Sequence, residues 1–351
     1  MKKLISLLLV LAMALTLVAC GGKTEAPAET QAAAAPEAAP EAPAAEVTTY
    51  DVGVAIYQYN DNFMTLYRQE IEAYFKTLET DTVKYNITMV DSKNDMAEQT
   101  NQIDTFITQG MDVIILNLVQ TSSAEVLIDK VVDAGIPLIL INREPLGETD
   151  ESYPGIINNP GVCYVGADAR QSGTYQGEIV LALDDKGDVN GNGKVDYVMI
   201  IGDPENPDAQ YRTEFSIKAL TDAGVEVNKL VDNVGNWDQT KGQEIAAAAL
   251  AQFGDEIDVI FCNNDGMALG AAAAIEAAGR VVGEDIYLLG VDALDECQEM
   301  VQAGTMTGTV LNDHIGQSHA AVDAAVAALN GEALQNYYWV DYVKVDANYF
   351  G

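Results

Sequence analysis

Positive charge is scarce in this chain. It has 18 Lys and Arg residues against 54 Asp and Glu residues, and its formal net charge at pH 7 is -36. Nucleic acids and anionic membrane faces are themselves negative and would repel such a protein. We therefore exclude nucleic acid as a partner, and we expect no membrane contact through the folded surface.

Histidine and cysteine are also rare, which leaves little support for catalysis. The chain has 2 histidines, His314 and His319, both in its last long helical segment, and no serine or cysteine lies beside a histidine in a known motif. No phosphate-binding glycine cluster follows the first predicted strand. Of the 4 cysteines, those beyond the leader lack paired spacing and predict small buried hydrophobes: Cys163, Cys262 and Cys297.

Residues 1–20 are typical of an export signal. Lys2 and Lys3 precede an apolar run to Val18 that is short for a membrane span, and the run ends at Ala19-Cys20. A cysteine directly after a small-residue cleavage site resembles the signal of a bacterial lipoprotein with its lipobox. That resemblance implies removal of the leader and a lipid on Cys20. The alternative is an ordinary secretory signal with an incidental cysteine.

Residues 21–46 are nearly all Ala, Pro, Glu and Thr, and they have no spaced apolar positions that could build a core. This composition predicts a disordered tether. Acyl chains on Cys20 would hold the tether at the outer face of the cell membrane. We therefore predict an extracytoplasmic protein that touches the membrane only through its lipid anchor.

The remaining residues, 47–351, suit two domains. Short β-branched runs, from Val52–Tyr57 to Thr307–Leu311, alternate with amphipathic segments of helical length, which gives about ten strands. Strict alternation predicts parallel sheets covered by helices on both faces, and this number of strands favours two sheets over one. The predicted fold class is α/β, with two Rossmann-like lobes.

Polar side chains crowd the predicted strand ends. In open parallel sheets, ligands bind beyond the carboxyl ends of the strands. Asn and Asp are also favoured helix N-caps, so capping alone could explain any single position. The whole set is harder to explain in that way, because it combines several amides and carboxylates with Arg212.

Such a set suits a hexose. Planar carboxylate, amide and guanidinium groups can bind neighbouring hydroxyls two at a time, and aromatic rings cover the apolar faces of the sugar. Phe63 and Trp237 both follow predicted strands. Phe63 could instead be a hydrophobic staple, and Asp208 with Arg212, four residues apart on one helix, could be a solvated ion pair.

Six segments carry a resemblance to the galactose/glucose-binding proteins of bacterial ABC importers, which have the periplasmic binding protein type I fold. The similarity runs through nearly all of the folded region, in order. The segments are VGVAIYQYNDNFM (residues 52–64), LINREP (140–145), DPENPDAQYR (203–212), CNNDGM (262–267), GVDAL (290–294) and GTVLND (308–313).

The resemblance implies an ABC permease as partner, a monomer, a glucose or galactose ligand, and recognition by a chemoreceptor as a further possibility. One position departs from the pattern, because Asn206 stands where the best-known members have His; an amide can still donate to a hydroxyl. This puts the preference between the two sugars in doubt. The implied sugar-binding residues are Asp61, Phe63, Asn142, Asn206, Asp208, Arg212, Trp237, Asn264, Asp292 and Asn312.

The resemblance also implies where the two lobes divide. The N-terminal lobe would comprise residues 47–166 and 312–342, and the C-terminal lobe residues 167–311 and 343–351. Three crossing strands would form the hinge. A sugar held by both lobes would favour the closed form, which the permease then recognises.

A second motif, Asp188 to Asp196, has the spacing of a calcium loop. It places Asp188, Asn190, Asn192 and Asp196 at positions 1, 3, 5 and 9, and the backbone carbonyl of Lys194 at position 7. Position 12 lacks the usual Glu, and an Asx-rich turn is the alternative. The resemblance implies that Asp258 supplies the missing carboxylate, one methylene shorter than the usual Glu, and that the calcium is structural.

Three alternatives share parts of this pattern. Another monosaccharide, of the ribose or autoinducer type, is the nearest alternative ligand. A glycoside hydrolase could use Asp61, Asp208 and Asp292, but burial beside arginine and amides suits holding an intact ring better than raising a carboxyl pKa. A sugar-responsive repressor would need a DNA-reading helix pair at its N-terminus, where this chain has a signal and an acidic tether.

Overall fold

The computed structural model describes residues 46–351. The predicted signal, Cys20 and the tether up to residue 45 lie outside them. No helix in the described part of the chain is long and apolar enough to cross a membrane.

Strands and helices alternate along the described chain. The strands are β1 (Thr48–Ile56), β2 (Val83–Asp91), β3 (Val113–Leu116), β4 (Leu138–Ile141), β5 (Val162–Gly166), β6 (Val195–Ile201), β7 (Val227–Val234), β8 (Val259–Cys262), β9 (Tyr287–Leu289), β10 (Thr309–Leu311), β11 (Tyr337–Trp339) and β12 (Val343–Val345). The helices are α1 (Asn62–Leu78), α2 (Met96–Gln109), α3 (Ala124–Asp133), α4 (Pro154–Ile157), α5 (Ala169–Leu181), α6 (Pro207–Asp222), α7 (Gln239–Phe253), α8 (Asp265–Ala277), α9 (Asp295–Ala303) and α10 (His314–Leu329).

The strands form two parallel sheets, which confirms the predicted fold class. The first sheet has the order β11-β5-β4-β3-β1-β2, and the second has the order β7-β6-β8-β9. Strands β10 and β12 pair with each other antiparallel. A bridge between Leu289 and Gly308 places β10 beside β9.

Each sheet is apolar on both faces, which explains why its strands are continuous hydrophobic runs. In β1, Val54 and Ile56 pack on the face that α1 and α10 cover, whereas Ala55 packs on the opposite face with residues of α2 and α3. In β6, Ile200 and Met199 likewise belong to separate core clusters. The three cysteines of the described chain are buried and free, as predicted.

The chain passes between the two sheets at three places. It leaves the first sheet after Gly166, the last residue of β5, and returns to it after Leu311, the last residue of β10. It crosses again between Trp339 of β11 and Val343 of β12.

Both sheets contain a switch in strand order. In the first sheet the order reverses between β1 and β3, and in the second it reverses between β6 and β8. Because parallel strands end at the same edge of a sheet, the loops that follow them gather there. Most of the predicted sugar-binding residues lie in these loops or on the first helical turn after them.

Candidate functional site

A small cavity lies between the loops of the two sheets. Its lining includes all of the residues that the sequence predicts to bind sugar, from Asp61 through Asn312, together with Tyr57, Met64 and Arg143. The residues come from both sheets, so a molecule in the cavity would touch both halves of the fold.

Asp61 both caps a helix and lines the cavity. Its Oδ1 accepts a hydrogen bond from the backbone N–H of Met64 at 2.7 Å, which caps α1, and its Oδ2 accepts one from the Tyr57 hydroxyl at 2.6 Å. Two residues later, Phe63 packs edge-on against Tyr67, with 5.8 Å between ring centroids. Capping and core packing thus hold both side chains in place at the cavity wall.

Asp208 and Arg212 form a buried ion pair rather than a solvated one. Pro207 and the N-cap Asn206 start α6, so that both side chains lie on its first turns. The Arg212 Nη2 lies 3.3 Å from the Asp208 Oδ2, and both side chains are less than a tenth exposed. Burial raises the pKa of the Asp208 carboxyl, and the guanidinium beside it opposes this rise.

Arg212 is held from several sides. One guanidinium nitrogen donates to the carbonyl of Asn263 at 2.8 Å, and another donates to the Tyr342 hydroxyl at 3.0 Å. The guanidinium carbon lies 5.7 Å from the centroid of the Trp237 ring. These contacts fix the cation at the centre of the site.

Asp292 has the most unusual environment of the site. Its φ is 123°, a conformation that residues other than glycine rarely adopt, and its Oδ1 accepts from the Asn312 amide at 3.3 Å. Burial raises the pKa of the Asp292 carboxyl well above its usual range, although Arg212 acts in the opposite direction. Strained backbone of this kind concentrates at binding sites.

The Trp237 indole has room at the cavity because residue 202, directly after β6, is a glycine. A Cβ built on Gly202 would lie 2.2 Å from the Trp237 ring, so glycine is required there. The backbone of Trp237 is itself left-handed, with φ 66°. Its carbonyl accepts from the Asn264 amide at 3.4 Å, and Asn264 also caps α8.

Asn142 and Arg143 follow β4. Asn142 is left-handed, with φ 62°, and its Oδ1 accepts from the Asn117 amide at 3.2 Å. Arg143 is fully buried, with its guanidinium carbon 3.8 Å from the centroid of the Tyr57 ring. Next to it, Glu144 is buried, and burial together with the nearby Asp208 raises its pKa to about 7.

Three buried nitrogen donors of the lining have no hydrogen-bond partner within residues 46–351: Nε of Arg143, Nε of Arg212 and Nε1 of Trp237. Buried donors are normally paired, so a cluster of unpaired ones indicates a site that a polar ligand completes. The carboxylates of Asp61, Asp208 and Asp292 supply acceptors beside them. The site can therefore both donate to and accept from a ring of hydroxyl groups.

Sequence reasoning did not assign Tyr57, Met64 and Arg143 to the site. Tyr57 is the residue directly after β1, and Arg143 directly follows Asn142 at the end of β4. The rule that ligands bind beyond the carboxyl ends of parallel strands could have identified both residues. Met64 is apolar, so the pattern of polar residues at strand ends could not indicate it. It lines the cavity because it lies on the first turn of α1.

The Asp188–Asp196 loop is satisfied by its own hydrogen bonds. The Asp188 oxygens accept from the backbone N–H groups of Asn192 and Gly193, each at 2.9 Å. The Asp258 oxygens accept from those of Asn190 at 3.0 Å and Asp196 at 2.8 Å. These carboxylates are thus engaged by protein donors.

Asp196 pairs with the Lys194 ammonium at 2.8 Å, so a cation of the protein already lies beside this carboxylate. Its other oxygen accepts from the Asn192 amide at 2.7 Å. Among residues 46–351, no three acidic, histidine or cysteine side chains converge to hold a metal ion. As arranged, the loop does not form a calcium cage, and calcium binding stays a prediction.

Comparison with known proteins supports the fold and the class of site. A family model described as a periplasmic binding protein domain matches residues 52–333. A D-galactose/methyl-galactoside binding periplasmic protein of Haemophilus influenzae is 32% identical over 317 residues, which cover 86% of this chain and 90% of that protein. A xylitol-binding protein of Mycolicibacterium smegmatis is 27% identical over 300 residues, which cover 82% of this chain and 75% of that protein.

Among solved structures, an ABC transporter solute binding protein from Bacillus halodurans with bound myo-inositol has a TM-score of 0.73 and 28% sequence identity. The match covers 85% of this chain and 95% of that one. These relatives are binding proteins, which confirms the prediction of a solute binder rather than an enzyme.

Proposed function

The chain belongs to the periplasmic binding protein family, and from that premise we propose that it captures D-glucose or D-galactose outside the cytoplasm for an ABC permease. One observation carries the choice of a hexose. The cavity combines three carboxylates, two guanidinium groups and several amides with the rings of Phe63 and Trp237.

The chemistry of the lining fits an intact pyranose. Adjacent sugar hydroxyls can each donate and accept, and planar charged groups bind them in pairs more strongly than neutral groups do. Two aromatic side chains supply apolar surfaces for the C–H faces of the ring. The sequence identity of 32% to a D-galactose/methyl-galactoside binding protein supports the same ligand class.

A cyclic polyol is the second candidate. The Bacillus halodurans protein was solved with bound myo-inositol, and a ring of six hydroxyls would meet the same carboxylates and amides. It lacks the ring oxygen and the exocyclic hydroxymethyl group of a hexose. Competition between the two ligands therefore distinguishes the candidates.

We propose that binding closes the cleft. Asp61, Phe63 and Asn142 follow strands of the first sheet, whereas Asp208 and Asp292 follow strands of the second. A sugar that contacts both groups binds the closed form best and shifts the population toward it. The three chain crossings would act as the hinge between lobes with the predicted boundaries, and the permease or a chemoreceptor would recognise the closed shape.

Calorimetric titration tests the ligand assignment. We expect saturable 1:1 binding of glucose or galactose, and binding of ribose, arabinose and myo-inositol at least tenfold weaker. Tighter binding of myo-inositol would favour the second candidate, and no binding of any of these ligands would overturn the proposal. Incubation with a chromogenic glycoside should release no product.

We also propose that Cys20 carries a lipid anchor, a proposal that rests on the leader sequence alone. Mass spectrometry of the protein extracted from bacterial membranes should find acyl groups on the N-terminal cysteine. The variant Cys20→Ala should not be lipid-modified, so less of it should be held at the membrane. An unmodified wild-type protein cleaved elsewhere would contradict the proposal.

A further inference from the structure

An ion pair connects the two sheets beside the ligand cavity. Arg143 follows β4 of the first sheet and Asp203 follows β6 of the second, and the Arg143 Nη1 lies 3.2 Å from the Asp203 Oδ2. The Arg143 side chain is 2% exposed and that of Asp203 is 18% exposed. A pair shielded to this degree is screened by salt much less than a surface pair.

Arg143 is fixed by its own half of the molecule. Its guanidinium stacks on the Tyr57 ring and donates to the carbonyl of Val119, and both partners belong to the first sheet or its loops. Asp203 is held in a similar way, because its Oδ1 accepts from the backbone N–H of Glu205 at 3.0 Å. Pairing two preorganised groups loses little side-chain entropy.

The pair also adjoins the ligand residues. The Tyr57 ring that supports Arg143 donates its hydroxyl hydrogen bond to Asp61 at 2.6 Å, and both Tyr57 and Arg143 line the cavity. Asp203 is not part of that lining. It lines a neighbouring polar cavity together with Tyr57, Arg143 and Trp237.

We propose that Arg143 and Asp203 form a latch that stabilises the closed cleft, so that Asp203 strengthens sugar binding without touching the sugar. The proposal rests on the proposed function, because it assigns a role in that closure. When the cleft opens, Arg143 keeps its contacts to Tyr57 and Val119 but loses its anionic partner. The pair therefore stabilises the closed form relative to the open form.

The test compares Asp203→Asn with a matched control, Glu205→Gln. Both variants remove one negative charge from the same loop, but the Glu205 side chain makes no described ion pair. Asparagine can still accept from the backbone N–H of residue 205, so we expect the loop to keep its shape. The variant Asp203→Glu restores the charge and serves as a rescue.

We expect Asp203→Asn to weaken glucose or galactose binding by about 5- to 20-fold, mainly through faster release, as for truncated charge pairs at closed interfaces. Glu205→Gln should stay within about twofold of wild type, and Asp203→Glu should recover part of the loss. Small-angle scattering of the unliganded protein should show a larger radius of gyration for Asp203→Asn than for the control.

Equal sugar affinity and equal scattering for Asp203→Asn and Glu205→Gln would overturn the latch. If wild type binds no sugar, the proposed function fails, and the scattering comparison alone then decides whether the pair holds the cleft closed. A more open unliganded Asp203→Asn would support the latch in that case, and an unchanged radius of gyration would contradict it.

Discussion

The ligand cavity and the Asp188–Asp196 loop are both rich in Asp and Asn, yet the structure uses these residues in opposite ways. In the loop, every carboxylate accepts hydrogen bonds from nearby protein donors. In the cavity, Asp208 and Asp292 are buried beside Arg212, and three nitrogen donors have no partner among the described residues.

The difference shows that residue type does not define a binding site. Satisfied polar groups stabilise a turn, whereas buried and unsatisfied ones cost free energy that a ligand can recover. The left-handed φ angles of Asn142, Trp237 and Asp292 add to the contrast, because these strained residues all line the cavity. Substitutions in the cavity should therefore change binding, and substitutions in the loop should change stability.

The largest effect should come from Asp292→Asn. The neutral amide keeps the size of the side chain but leaves Arg212 and the sugar hydroxyls poorly matched, so we expect at least a 100-fold loss of hexose affinity by calorimetry. Because burial raises the pKa of Asp292, removing its charge should leave the melting temperature equal or higher. The matched loop variant, Asp188→Asn, should bind sugar like wild type. A similar loss of affinity in this variant would show that the loop and the cavity do not have separate roles.

A smaller effect, on stability instead of binding, is expected for Asp258→Ala. It leaves the backbone N–H groups of Asn190 and Asp196 without their acceptors, which should lower the free energy of unfolding by about 2 kcal/mol in a urea titration. Sugar affinity should stay within about twofold. The exposed neighbour Asp255→Ala serves as the control, and equal stability of the two variants would show that the loop bonds contribute nothing.

Two buried carboxyl groups, Glu144 next to the cavity residue Arg143 and Asp258 against the loop, should make stability depend on pH. Burial and Asp208 raise the pKa of Glu144 from 4.5 to about 7, and burial raises that of Asp258 from 3.8 to about 6. A carboxyl with a raised pKa binds protons more tightly when folded, so the free energy of unfolding should fall as pH rises from about 4 to 7.

The variant Glu144→Gln should remove the part of this decline that Glu144 contributes between about pH 4.5 and 7, and at pH 8 it should be more stable than wild type by on the order of 1 to 3 kcal/mol. Urea titrations of both proteins at pH 5, 6, 7 and 8 measure the difference. If the free energy of unfolding changes with pH in the same way for the variant and wild type, the raised pKa of Glu144 is wrong.

Chelation should have the smallest effect. The resemblance to the galactose/glucose-binding proteins implies a structural calcium, so that EDTA would lower the melting temperature and leave sugar affinity nearly unchanged. The hydrogen bonds of Asp188 and Asp258 and the Lys194 ammonium already satisfy the loop, so we expect a shift below about 2 °C. A larger shift that added calcium reverses would establish the metal site.

The sequence was sufficient to predict the fold class and the residues that the strand ends bring together. Val52–Tyr57 predicts β1, and the spacing of Asp208 and Arg212 predicts that they share one face of α6. Both follow from local periodicity. Strand β11 was not predicted, because it is defined by its pairing with the distant strand β5 and not by a local pattern.

The properties that turn these residues into a site depend on distant contacts. The pKa shift of Asp292 and the room that Gly202 leaves for Trp237 arise only when separate strands meet. The pairing of Arg143 with Asp203 spans 60 residues of sequence and both sheets. No local pattern distinguishes these arrangements from ordinary caps and turns.

The most direct test of the account is a crystal structure of the protein grown with glucose or galactose. We predict density for one intact pyranose between the Phe63 and Trp237 rings, with its hydroxyls bonded to carboxylates that follow strands of both sheets. Density for a ligand elsewhere, or a cavity filled only by water at saturating sugar, would contradict the account.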